Sequence, residues 1–66
     1  MEILLNGQPC RTRDGATLDD LLREQGLAER RVAIEVNGEI VSRGRRPGHV
    51  LLPDDRVEIV HALGGG

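Results

Sequence analysis

Alternating side-chain character near the start of the chain predicts a β-hairpin. Residues 3–6 alternate with a period of two and run into the tight-turn dipeptide Asn6-Gly7. Residues 9–13 form the predicted return strand. Because Pro9 cannot donate a hydrogen bond to a neighbouring strand, we expect this return strand at an edge of the sheet.

The next segment carries the signals of a short helix. Thr17 and Asp20 have the spacing of a capping box, which predicts a helix that starts at Leu18. The apolar positions that follow share one helical face: Leu18, Leu21 and Leu22. Gly26 can adopt the left-handed conformation that ends a helix, so we predict about two turns.

A second hairpin follows the helix. Residues 32–36 alternate between apolar and other side chains and lead into the turn dipeptide Asn37-Gly38. Residues 39–41 are the predicted return strand. The two hairpins therefore flank the helix along the chain.

Residues 42–48 are rich in arginine and glycine and include a proline, so we predict an irregular surface loop. We interpret its arginines, and the pair at the helix exit, as a solvated face or as contacts for an acidic partner. These side chains are Arg43, Arg45, Arg46, Arg30 and Arg31.

Residues 57–61 form the predicted last strand. If Val57 and Ile59 face the core, Val60 and Ala62 face outward, because side chains alternate across a strand. We interpret an outward apolar valine either as part of an interface or as one of the single exposed valines that are common on protein surfaces.

The order of these elements predicts one α+β domain, with a helix packed across the apolar face of a sheet. The chain has 66 residues, which is enough for a single domain over 1–66 with an aliphatic core and no deep catalytic pocket. Its net charge is -2 and aromatic residues are absent, so nucleic acid and anionic membranes are disfavoured as partners.

Motifs for catalysis or metal binding are absent from the sequence. There is no lysine for a phosphate-binding loop, and His49, His61 and Cys10 are too few for a four-ligand zinc site. We interpret the histidines as ordinary surface residues and the cysteine as an inert thiol. A single cysteine and an N-terminus without signal-peptide character favour a cytoplasmic location.

The glycines at positions 64–66 form the most unusual feature. A glycine tail is thin and flexible, and its backbone can enter a narrow site in another protein. Its one reactive group is the carboxylate of Gly66, which is a poor electrophile until a leaving group such as an adenylate is attached. A partner would therefore supply ATP and catalysis. The alternative is a frayed terminus or a cloning remnant.

Taken together, these residues resemble the ubiquitin-like sulfur carriers over the whole chain, most closely the branch that serves thiamine biosynthesis. The matching motifs are Met1-Glu2-Ile3 with Asn6-Gly7, Gly15-Ala16-Thr17-Leu18 with Leu21-Leu22, Val36-Asn37-Gly38-Glu39-Ile40-Val41, Asp54-Asp55-Arg56-Val57-Glu58-Ile59-Val60, and the terminal glycines. One departure is residues 43–48, where the family often has a more helical, acidic and aromatic segment that glycine and proline disfavour here.

The resemblance implies a β-grasp fold, a mixed sheet of about five strands in which the first and last strands are parallel neighbours. It also implies a function as a carrier rather than an enzyme. An ATP-dependent adenylating enzyme of the ubiquitin-activating type would activate Gly66. Sulfur from a cysteine desulfurase or another persulfide donor would then form a thiocarboxylate, which thiazole synthase would use. No cofactor is expected on the chain itself.

The same resemblance assigns roles to the residues before the terminal carboxylate. Gly64 and Gly65 would thread into the sites of the partners, within a flexible functional tail over residues 62–66. Val60, Ala62 and Leu63 would belong to the docking surface.

Several alternatives stay open at this point. The small subunit of molybdopterin synthase shares the fold and the tail, although such chains tend to be longer and to contain phenylalanine. A ubiquitin-like protein modifier would instead be joined to target lysines through Gly66. A plain β-grasp binding module would have an inert tail.

Overall fold

The structure, a computed structural model, describes residues 1–61. Within them, five strands form one mixed sheet in the order β2-β1-β5-β3-β4. In chain order the elements are β1 (Glu2–Leu5), β2 (Gln8–Arg11), α1 (Leu18–Glu24), β3 (Val32–Val36), β4 (Glu39–Ile40), a 3₁₀ helix (Arg43–Gly48) and β5 (Arg56–His61). The first and last strands are parallel neighbours, and the other pairs are antiparallel. The β-grasp arrangement that the family resemblance implied is confirmed.

Both predicted hairpin turns form as expected. Asn6 and Gly7 have φ angles of 50° and 80°, and Asn37 and Gly38 have φ angles of 52° and 87°. Two consecutive positive φ angles define a type I′ turn, whose twist matches that of the flanking strands. The return strands are shorter than predicted, and β2 lies at an edge of the sheet as its proline requires.

The N-terminus of α1 is closed by the predicted capping box. The Asp20 backbone N–H donates to Thr17 Oγ1 at 3.1 Å, and the Thr17 N–H donates to Asp20 Oδ2 at 3.0 Å. Arg13 and Arg23 also pair with this carboxylate. Two of the backbone donors that a helix start leaves open are therefore satisfied.

We expect the capping carboxylate to make stability sensitive to acid. The Thr17 N–H is the largest cause that lowers the pKa of Asp20 from 3.8 to about 2, and Arg13 adds to it. The stabilisation of the fold by the ionised Asp20 carboxylate is complete above pH 3.8 and is lost as the pH falls toward 2. In Asp20→Asn, which keeps an acceptor oxygen, the free energy of unfolding should fall less over this pH range. Denaturant titrations at several pH values test this, and identical pH profiles would contradict it.

The C-terminus of α1 ends in a Schellman motif. Gly26 has a φ of 73°, and its N–H donates to Arg23 O at 3.1 Å. The Leu27 N–H donates to Leu22 O at 2.7 Å, and Leu27 packs against the core. These two bonds are the 5→2 and 6→1 bonds of the motif, so α1 ends after two turns as predicted.

The core lies between α1 and one face of the sheet. The leucine face of α1, formed by Leu18, Leu21 and Leu22, is buried against alternate residues of the strands and against the segment before β5. The largest fully buried side chains are Ile3, Leu18, Leu21, Ile34, Leu51 and Val57. The aliphatic core expected from the composition is present, and no element within residues 1–61 covers the opposite face of the sheet.

The prediction of an irregular loop over residues 42–48 is wrong. Arg43–Gly48 form a 3₁₀ helix, with the Arg45 N–H donating to Ser42 O at 3.0 Å. A 3₁₀ turn needs only i→i+3 bonds, and the φ of proline is compatible with it, so Pro47 does not prevent the helix. The helical character that we expected glycine and proline to disfavour is therefore present, as a 3₁₀ helix.

Arg46 also departs from the prediction of a solvated arginine group. Its side chain is only 7% exposed, and its guanidinium donates to Val32 O at 2.8 Å. This contact ties the 3₁₀ helix to the start of β3. Arg43 and Arg45 are exposed as predicted.

Candidate functional site

Strand β5 is the base of the predicted carrier site, because it is the last described element before Gly66. It lies at the centre of the sheet, between β1 and β3. The predicted tail residues lie outside the described residues, and their roles stay predictions: Ala62, Leu63, Gly64, Gly65 and Gly66.

A hydrogen-bonded cluster fixes the start of β5. Asp55 is buried, accepts from the Leu52 N–H at 2.8 Å and accepts from Asn37 Nδ2 at 2.9 Å. The Asn37 Oδ1 accepts from the Arg56 N–H at 2.9 Å. The turn of the second hairpin is thereby joined to the first residue of β5.

A second asparagine contacts β5 farther along its length. The Asn6 N–H donates to Val57 O at 2.8 Å, and Asn6 Oδ1 accepts from the Ile59 N–H at 2.8 Å. The sequence identified Asn6 and Asn37 only as turn formers. Their long-range bonds carry no local sequence signal beyond the presence of asparagine in both turns.

The outward orientation predicted for Val60 is confirmed. Its side chain is 60% exposed on the face of the sheet that α1 does not cover, and it lies opposite Ala33. Glu58 and Glu35 face each other on the same surface, as paired residues of β5 and β3. We call this surface, with Ala33, Glu35, Glu58 and Val60 at its centre, the open face.

A cavity of about 340 Å³ lies at the other end of β5. It is bounded by the second hairpin, the 3₁₀ helix and the segment before β5. Its walls include Val36, Val41, Arg45, His49 and Val50. Since Asp55 also lines it, the cavity adjoins the start of β5, whereas the glycines follow the end of that strand.

The remaining candidate residues do not assemble into a reactive centre within the described part of the chain. Over residues 1–61, no three His, Cys, Asp or Glu residues are grouped closely enough to hold a metal ion. His61 is exposed at the end of β5, and His49 is half-buried. Cys10 is half-buried on β2, where its Sγ accepts from Gln25 Nε2 at 3.9 Å. In the same residues, no helix is long and apolar enough to cross a membrane.

The β-grasp sheet, in which the central strand β5 is followed in sequence by the glycines at 64–66, places the chain in the ubiquitin-like fold class. The model of the ThiS family matches residues 3–66. The chain therefore belongs to the ThiS family.

Curated relatives of two kinds resemble the chain. It is 38% identical over 63 residues to the sulfur carrier protein ThiS of Bacillus subtilis, covering 94% of this chain and 96% of that protein. It is 47% identical over all 66 residues to a thiazole synthase of Magnetococcus marinus. The chain spans only 20% of the length of that thiazole synthase.

A solved structure has the same fold. The crystal structure of the thiamine biosynthesis protein ThiS from Geobacter metallireducens superposes with a TM-score of 0.87 at 28% identity. The superposition covers 100% of both chains.

Proposed function

We propose that this chain is a sulfur carrier for thiazole formation in thiamine biosynthesis, and that it acts as a cosubstrate rather than a catalyst. The observation that carries the proposal is the family match, which extends over the fold and through the terminal glycines. The match to a relative of nearly equal length named as a sulfur carrier supports it. The same match favours the thiamine branch over the molybdopterin alternative.

The proposed chemistry takes place at the Gly66 carboxylate. An adenylating enzyme binds ATP, the carboxylate attacks the α-phosphate, and pyrophosphate leaves. The outer sulfur of a persulfide, held by a cysteine desulfurase or another donor, then attacks the acyl adenylate and displaces AMP to form an acyl disulfide. A second thiol reduces this disulfide, which leaves the thiocarboxylate on the chain and a disulfide on the donor. The chain binds no cofactor of its own in this scheme. Because the reaction needs ATP and reduced sulfur, we propose a cytoplasmic location.

Thiazole synthase is the proposed acceptor of the sulfur. The protein of that name from Magnetococcus marinus contains a segment similar to this whole chain. Covalent linkage raises the effective concentration of two modules that act on each other. The relative therefore supports the proposal that a carrier like this one and a thiazole synthase work together.

The open face is the proposed docking surface for the activating enzyme. Val60 supplies an exposed apolar contact close to the end of β5. Glu35 and Glu58 are paired like charges, an arrangement that is unfavourable in isolation. A basic partner surface would relieve this repulsion, so we expect arginine or lysine opposite the two carboxylates.

A charge at position 60 should weaken docking. We expect Val60→Arg to raise the KM of the activating enzyme for the carrier about tenfold, because it removes apolar contact and opposes a basic partner. Leu52→Arg is the matched control, since Leu52 is also an exposed apolar residue, at 62%, but lies in the segment before β5, at the opposite end of that strand from Val60. Steady-state adenylation kinetics measure both. Equal effects of the two variants would contradict a docking site centred on Val60.

The function itself is tested by incubating the chain with ATP, a candidate activating enzyme and a persulfide source. Intact mass and fragmentation should locate a sulfur-for-oxygen exchange at Gly66. Localisation is necessary because oxidation of Met1 or Cys10 adds nearly the same mass. An isopeptide adduct through Gly66 would instead support the protein modifier, and no adenylate with competent partners would support the inert tail.

A further inference from the structure

The contact between Asn6 and Ile59 continues the β1–β5 pairing beyond the end of β1. In a parallel ladder, alternate residues of one strand donate to and accept from two residues of its neighbour. Leu4 starts this pattern with a 2.9 Å bond from its N–H to Asp55 O. The next residue in phase is Asn6, and its N–H donates to Val57 O as the ladder requires.

In a regular parallel ladder the Ile59 N–H would donate to the backbone carbonyl of Asn6, but here a side chain accepts this bond. With a φ of 50°, the backbone turns into the hairpin at Asn6. The acceptor that meets the Ile59 N–H at 2.8 Å is Oδ1 rather than the backbone carbonyl. Asparagine is one of the few residues that tolerate positive φ and also carry a short acceptor. One side chain therefore allows the turn and extends the ladder.

The bond between Asn6 and Ile59 extends the length of β5 that is hydrogen-bonded on its β1 side. The pairing of β1 with β5 reaches Val57, and the side chain of Asn6 then accepts a hydrogen bond from Ile59 on the same side of β5. On the other side, β3 pairs with β5 as far as His61. Ile59 lies two residues before the end of β5, and the C-terminal residues follow that strand in sequence.

We propose that Asn6 is a positioning residue for the reaction at Gly66. It anchors the end of β5, so that docking of the open face presents the following residues to the activating site in a narrow range of directions. The inference rests on the proposed function. Ordering one additional backbone residue lowers an equilibrium by about five- to thirtyfold, which sets the expected size of the effect at about tenfold.

The second hairpin provides a matched control at the opposite end of β5. Asn37 also occupies the first position of a type I′ turn, and its Oδ1 also accepts from a β5 N–H, that of Arg56. It additionally donates to the buried Asp55. Asn37→Gly therefore removes at least as many hydrogen bonds as Asn6→Gly, but it does so at the start of β5 rather than near its end.

The experiment compares Asn6→Gly, Asn6→Asp and Asn37→Gly by NMR amide exchange and by adenylation kinetics. For Asn6→Gly we expect faster exchange of the Ile59 amide and a kcat about tenfold lower, with KM changed less than about twofold because the docking face is intact. Aspartate keeps the acceptor and should restore both. Asn37→Gly should lose at least as much global stability and yet keep kcat within about twofold of wild type.

The outcomes separate this inference from the proposed function. A normal kcat in Asn6→Gly, or an equal loss in Asn37→Gly, overturns the positioning role while wild-type adenylation upholds the carrier. If the wild-type chain is not adenylated by competent partners, the proposed function fails and the positioning role fails with it. In that case, faster Ile59 exchange in Asn6→Gly would still show that the anchor exists.

Discussion

Deletion of Gly65 and Gly66 is expected to abolish adenylation and thiocarboxylate formation while leaving the fold intact. The proposed reaction needs the terminal carboxylate at the end of a glycine segment that fits a narrow site. The deletion removes none of the core residues described within residues 1–61. Adenylate formation, intact mass and the thermal midpoint of unfolding are the measurements.

The truncated chain also serves as its own docking control. Since the open face is retained, it should inhibit adenylation of the wild-type chain competitively. Its inhibition constant should lie close to the KM of the wild-type carrier. Thiazole formation supported by the truncated chain would contradict the carrier mechanism.

Leu21→Ala is expected to have the largest effect on stability. Leu21 is fully buried on the face of α1 that covers the sheet, and removing its side chain leaves a cavity. Such a change costs about 3 kcal/mol in the free energy of unfolding, within a range of about 2 to 5. A chain of this length has a total stability of only about 3 to 10 kcal/mol. The thermal midpoint should therefore fall by about 12 °C or more.

Leu52→Ala is the matched control for this substitution. Leu52 is 62% exposed, so the same change of side chain should alter the free energy of unfolding by less than about 0.5 kcal/mol. Circular dichroism during thermal and urea unfolding measures both variants. Similar losses in the two variants would mean that the core is not organised around α1 as described.

The secondary structure was largely predictable because its signals are local. The two Asn-Gly turns, the capping box and the glycine that ends α1 each depend on residues a few positions apart. The same holds for the leucine stripe, since a period of 3.6 residues allows one face to be buried. Resemblance to a known family added the parallel pairing of the first and last strands, which no local pattern specifies.

The segment 42–48 shows where local reasoning was insufficient. Glycine, proline and several charges predict an irregular loop, but a 3₁₀ helix forms and buries Arg46. The bond from its guanidinium to Val32 O joins residues that are distant in sequence. A buried cation next to a strand carbonyl depends on the packing of the whole domain, so a charge pattern alone does not predict it.

Part of the proposed carrier site was likewise predictable from the sequence, and part was not. The sequence by itself indicated the chemistry that we propose, because the glycines at positions 64–66 can be identified from residue types alone. Only the tertiary structure decided how the preceding strand is held. Asn6 and Ile59 are 53 residues apart in sequence, and their bond exists because the fold places the first turn beside the last strand. A side-chain hydrogen bond over that separation follows from strand pairing, whereas turns and caps follow from neighbouring residues.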